Sequence, residues 1–208
     1  MVLDFSAMDR RTAYFWMAST ITPRPVAWVS TRSADGRLNL APFSFFQMVT
    51  PAPPTLMICP QHHPDGSLKD TARNIRDTGE FVVSIVPHAM VDQMNETSFA
   101  FAEGENEFEA AGVAALASQA VAPPRVAGSP MSFECKVASF AQYPEASPAC
   151  AIILGEVVVA HADPGILAED GTIDPVKLDT VSRMGADWYG RTNSNDNFIL
   201  RRPAGWSR

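Results

Sequence analysis

Residues 21–58, ITPRPVAWVSTRSADGRLNLAPFSFFQMVTPAPPTLMI, carry the reading on which the fold turns. Two runs rich in β-branched and aromatic residues, PVAWVST from Pro25 and LNLAPFSF from Leu38, flank Ser33-Ala34-Asp35-Gly36. Asp-Gly between strand-like runs signals a hairpin, because glycine supplies the positive φ that a tight turn needs. The first strand is expected over residues 25–32 and the second over 38–46. After the proline-rich step Pro51-Ala52-Pro53-Pro54, a near-continuous apolar run predicts a third over 55–59. Three strands before any long helix predict an antiparallel sheet.

Outward from that segment the pattern stays β-rich. Residues 7–20 read as a short helix with Tyr14, Met17 and Ala18 at helical spacing, and Pro23 prevents its continuation. A second helix is expected over 68–78, where Leu68, Ala72 and Ile75 share a face and Gly79 supplies the stop. A strand over 80–86, a further helix over 88–99 and a solvated acidic turn or short helix over 103–109 follow. Beyond the crossing loop at Pro123-Pro124, residues 132–140 alternate, with Phe133, Cys135 and Val137 opposite Glu134 and Lys136. Residues 150–161 form a long strand with Gly155 as a bulge or bend. At least six strands without β-α-β alternation predict a mainly β fold with peripheral helices, a closed or nearly closed antiparallel barrel. One domain over 1–208 is expected, with a core of about 18–165 and a C-terminal extension of about 166–208. The polar tail from 179 onward has Trp188, Tyr189 and Trp206 as anchors on the body or on a second subunit.

The charge balance, 16 Lys and Arg against 23 Asp and Glu, gives −7 and argues against nucleic acid as a partner, since phosphate binding needs a basic face. The first residues lack the uninterrupted apolar core of a signal peptide, and no run reaches membrane-spanning length, so a cytoplasmic protein without membrane contact is expected. Cys59, Cys135 and Cys150 are odd in number and far apart, and they read as reduced thiols in apolar strands.

Two polar clusters are candidates for chemistry. Ser67, Lys69, Asp70, Thr71, Arg73 and Asn74 surround the start of the helix at 68–78. A helix N-terminus offers unpaired N–H groups and a favourable dipole, so these residues suit a phosphate. The plainer alternative is that Ser67 or Asp70 caps the helix and the cations are solvated. The second cluster places Asn39, Ala41, Pro42 and Ser44 across the hairpin from Ser30 and Thr31. Small residues let a flat ring approach the backbone while Asn and Ser meet its polar edge; core packing with satisfied polar groups is the alternative.

A resemblance spans most of the chain. Pro23-Arg24-Pro25-Val26-Ala27-Trp28-Val29-Ser30-Thr31, then Gly36-Arg37-Leu38-Asn39-Leu40-Ala41-Pro42-Phe43-Ser44-Phe45-Phe46, then Lys69-Asp70-Thr71 with Asn74-Ile75 resemble the flavin reductase-like family, which includes the flavoredoxins. Glu107-Phe108, Ser129-Pro130, Phe133-Glu134-Cys135 and Gly155-Glu156-Val157 continue it in order. The resemblance implies an FMN-binding split β-barrel, a homodimer, and hydride transfer from NADH or NADPH to FMN. Reduced flavin would then serve a monooxygenase or other electron acceptor. It implies that Ser30, Thr31, Asn39, Ala41, Pro42, Phe43 and Ser44 line the flavin, that Lys69, Thr71 and Asn74 hold its phosphate, and that Asp70 belongs to the same cofactor site. No catalytic side chain is assigned, because a bound cofactor carries that chemistry; Arg24, Arg183, Tyr189 and His161 are candidates for contact with the flavin or the nicotinamide. An FMN-bound electron carrier serving a partner protein is the alternative. A metal-dependent hydrolase built on His62, His63 and Asp65 is a remote one, since adjacent side chains diverge and no partner at zinc spacing follows. No G-x-G-x-x-G or G-x-S-x-G motif occurs.

Overall fold

The computed structural model describes residues 1–102, 104–193 and 197–203, so Glu103 and Trp206 lie outside the described residues. Seven strands make the main sheet: β1 (Ala27–Arg32), β2 (Leu38–Phe43), β3 (Phe46–Pro51), β4 (Pro54–Ile58), β5 (Glu80–Ile85), β6 (Met131–Tyr143) and β7 (Cys150–Ala162). Their order is β2-β1-β5-β6-β7-β4-β3, with antiparallel neighbours throughout. The edge strands β2 and β3 are joined by Ser44-Phe45 alone. Phe43 and Phe46 are three Cα steps apart, at most about 11 Å, whereas the edges of a flat seven-stranded sheet would stand about 29 Å apart. The sheet must therefore curl until its edges meet, with a seam where ladder hydrogen bonds stop. This is the split barrel.

The sequence expectation of one strand over 38–46 divides at that seam. Its last residue, Phe46, opens Phe46–Pro51 instead, and the proline step becomes the turn of the β3–β4 hairpin. Pro42 is tolerated because β2 is an edge strand. The tail is also more ordered than its polarity predicts. β8 (Val181–Gly185) and β9 (Trp188–Arg191) pair with each other, and β8 pairs with Arg24–Pro25.

Two apolar layers explain why β1 reads as a continuous apolar run. Ala27 and Val29 join Ile58, Phe81, Val83, Cys135 and Ile153 in one cluster, with Ala72 and Ile75 contributed by helix α2 (Asp70–Thr78). Trp28, on the opposite face, joins Leu40, Met94, Phe108, Val126 and Val181 in a second. Helix α1 (Arg10–Thr20) is capped by Asp9, whose carboxylate accepts from the Arg11 and Thr12 N–H groups, yet buries only Ala18. α3 (Val91–Glu96) and α4 (Glu107–Ala110) contribute Met94 and Phe108 to the second layer. Among the described residues, no helix is long and apolar enough to cross a membrane. Cys135 is buried, while Cys59 and Cys150 are half-buried free thiols.

Glu134 is where simple alternation fails. Its side chain is fully buried rather than solvated. One carboxylate oxygen accepts from the Gln119 N–H at 2.8 Å and contacts His161 Nε2 at 2.6 Å, and the other accepts from the Ala120 N–H at 2.6 Å. Burial alone would raise its pKa; the two backbone N–H groups and His161 outweigh it and hold the carboxyl below the ordinary 4.5. A lowered folded pKa means stability that is complete above 4.5 and lost as pH falls through the folded value. Glu134→Gln must turn an NH2 group toward one of these donors. We expect it to lose about 2 kcal/mol at pH 7. Its stability should also vary less with pH over the acid range. Urea unfolding of both proteins from pH 3 to 7 tests this, and parallel acid limbs would refute it.

Candidate functional site

α2 begins without a side-chain cap at its N-terminus. Its N-cap is Lys69, and its C-cap is Gly79 at φ 73°. Neither of the expected caps is used. Ser67 is instead bonded to Asp65, through its N–H at 2.9 Å and its hydroxyl at 2.6 Å, and Asp70 pairs with Arg73 one turn along. The first N–H groups of α2 thus lack a side-chain partner at the positive end of the helix dipole.

This helix start opens on a cleft of about 380 Å³. Asn39, Ala41, Pro42 and Phe43 of the edge strand β2 form one wall, and Lys69, Asp70 and Thr71 form another. Two amide–hydroxyl bonds lock the walls together: Asn39 Nδ2 donates to Thr71 Oγ1 at 2.9 Å, and Asn74 Nδ2 donates to Thr31 Oγ1 at 3.0 Å. All four of these side chains are at least nine-tenths buried. Asn39 and Thr71 reach the cleft wall, while Thr31 and Asn74 form the joint beneath it.

Two predicted residues stand apart. Ser30 is fully buried and its hydroxyl donates to the Pro124 carbonyl, away from the cleft lining. Ser44 lies at the seam, where its hydroxyl accepts from Arg24 Nε at 3.5 Å. Of the residues singled out for contact with the nicotinamide, none lines the cleft. His161 is held by Glu134, Arg183 stacks over the Tyr189 ring at 4.7 Å, and Arg24 donates to the carbonyls of Ala18 and Ile21. The His62 and His63 side chains diverge. His62 is buried with Nδ1 donating to the Pro148 carbonyl at 3.1 Å, while His63 lines the cleft.

Sequence reasoning missed the third wall. Residues 97–101 close the cleft, anchored where the buried Trp28 indole N–H donates to Thr97 Oγ1 at 2.9 Å. Phe99 and Phe101 pack edge to face at 5.2 Å, and Phe99 remains 70% exposed. Glu107 was expected in a solvated acidic turn; instead it is buried in the cleft wall and accepts from the Leu40 N–H of β2 at 3.0 Å. Leu40 belongs to an edge strand whose outward N–H groups need partners. Burial pushes the Glu107 carboxyl above its ordinary range. The only sequence signal for this role was Glu107-Phe108, an acid beside a core aromatic.

Residues 17–175 match the model of the flavin reductase like domain. An uncharacterized protein of Aquifex aeolicus is 38% identical over 181 residues, covering 87% of this chain and 90% of its own. The crystal structure of nitrilotriacetate monooxygenase component B from Bacillus cereus superposes with a TM-score of 0.91 at 30% identity, covering 96% of this chain and 98% of that one. Flavoredoxin of Desulfovibrio vulgaris gives a TM-score of 0.74 at 22% identity, covering 99% of both, a likeness of fold alone.

Proposed function

The chain belongs to the flavin reductase-like family, and from that premise we propose that the cleft at the start of α2 binds FMN in an NAD(P)H:flavin reductase. The observation that carries this is the uncapped N-terminus of α2 opening on the same cleft as the Asn39–Phe43 edge of β2. FMN needs both features, an anion site for its phosphate and a flat shelf with polar edges for its ring. Lys69, Thr71 and the first N–H groups of α2 would hold the phosphate. Ala41 leaves room for a ring against the strand, and Asn39 is oriented by Thr71 to meet a polar edge. Bound there, FMN would supply hydride acceptance from a nicotinamide and onward electron transfer. The protein's part is to orient the ring and exclude water, for which the wall at Phe99 and Phe101 is suited.

Further proposals rest on the surface. Phe15 of α1 is 53% exposed, and Met48 and Val49 on β3 are 68% and 49% exposed. Such an apolar surface is costly in water, and it supports a homodimer that covers it. Three free thiols support a cytoplasmic setting. A monooxygenase or other electron acceptor would take up the electrons.

The test is direct. Protein purified with added FMN should show a flavin spectrum, and free FMN should turn over in the steady state as NADH or NADPH is consumed. A yellow protein that consumes neither nucleotide would instead be an FMN-bound carrier. A protein that binds no flavin would sink both readings.

A further inference from the structure

We propose that a second cavity, between α1 and the barrel seam, binds an aromatic carboxylate. Its volume is about 380 Å³, within the range of small-molecule sites. The wall is apolar or aromatic at Tyr14, Met17, Ile21 and Phe45, and its charged groups are Arg10 and Arg24. No carboxylate of the described residues lines it, although acids outnumber bases 23 to 16 in the chain. The cations of the cavity wall are opposite in sign to the chain's net charge of −7.

Arg24 is the central group. It is 8% exposed, and its guanidinium donates to the carbonyls of Ala18 and Ile21 and to the Ser44 hydroxyl. All these acceptors are neutral. Its partner across the β8 ladder is another cation, Arg183, which stacks on Tyr189. Burial pushes the Arg24 guanidinium below its ordinary range; Tyr14 acts against this and Arg183 with it. A buried charge calls for a counter-charge, and the cavity is the side from which a ligand can bring one. Arg10, whose Nη2 donates to Gln61 Oε1 at 3.3 Å, adds a second cation to the same wall. A guanidinium matches the planar fork of a carboxylate.

The walls define the rest of the ligand. Tyr14 and Phe45 rings lie 6.4 Å apart, tilted by 47°, and with Met17 and Ile21 they offer faces to a flat apolar body. Phe45 lines this cavity and Phe43 lines the cleft at α2, so the two sites adjoin across Ser44. Binding here does not depend on the flavin assignment.

Calorimetric titration of the full chain with 2-naphthoate and with neutral 2-naphthamide tests the proposal. The acid is expected to saturate the protein and the amide to bind at least tenfold more weakly. Arg10→Met, on an exposed helical turn, should weaken the acid at least threefold and leave the amide unchanged. Arg24→Met should erase the preference and Arg24→Lys should keep part of it; circular dichroism checks that α1 survives, and if it does not, the Arg10 variant decides. Lys69→Met should leave naphthoate binding unaltered. Equal affinity for acid and amide, no binding of the acid, or competitive displacement of naphthoate by FMN would each overturn the assignment.

Discussion

Replacing Lys69 by Met together with Thr71 by Val is expected to weaken FMN binding about 100-fold while changing riboflavin binding less than about threefold, because only FMN carries a phosphate. Each charge-assisted hydrogen bond contributes about 1.5–3 kcal/mol, and the double variant removes the ammonium and a hydroxyl from the wall at the start of α2. The helix N–H groups remain, so FMN should keep a residual preference over riboflavin. Thr71→Val also leaves the buried Asn39 amide without its acceptor, which disturbs the ring shelf and lowers both affinities. The ratio of the two affinities separates this shared loss from the phosphate contribution. Fluorescence quenching titrations of both flavins measure it. Equal losses would place the phosphate elsewhere, even if flavin binding itself stands.

The barrel was legible because its signals are local. Asp35-Gly36 fixes the β1–β2 hairpin, and the apolar periodicity around it needs no knowledge of distant residues. The seam was not legible, because LNLAPFSF reads as one strand; the break at Ser44-Phe45 comes from the sheet closing on itself, a property of all seven strands together. The same division runs through the site. The helix start at Lys69 was visible as a cluster within one turn, whereas Ser30 resembled Thr31 in sequence yet faces the Pro124 carbonyl while Thr31 faces Asn74. Adjacent strand residues point to opposite faces, and only the location of the second apolar layer decides which face meets the cleft. The solvated turn expected at Glu107 and the bonded burial of Glu134, which alternation leaves undetermined, have one explanation. A carboxylate in sequence predicts solvent, but each is bonded to backbone N–H groups that another segment supplies.

Gly155→Val is expected to destabilise the barrel by about 4 kcal/mol. Gly155 lies beside a register shift between β6 and β7, and its backbone does not have the positive φ that singles out glycine for conformational reasons. The constraint is space. A Cβ there would lie 2.7 Å from Phe81 Cε1 and 3.1 Å from Cys135 Cβ, and closer still to Phe81 Cζ. Phe81 and Cys135 are fully buried in the first apolar cluster with Ile58 and Ile153, so neither has solvent into which to move. The smaller change Gly155→Ala should cost about 2 kcal/mol, and Phe81→Leu should also be destabilising on its own by opening a cavity. Because the added methyl and the lost ring edge occupy the same volume, the double variant should be more stable than the sum of the two losses predicts, by about 1 kcal/mol. Urea unfolding of the four proteins in the cycle measures that coupling. Strict additivity would show that Gly155 is needed for the bend of β7 rather than for the room it leaves Phe81, and the strand would then owe its shape to backbone freedom instead of packing.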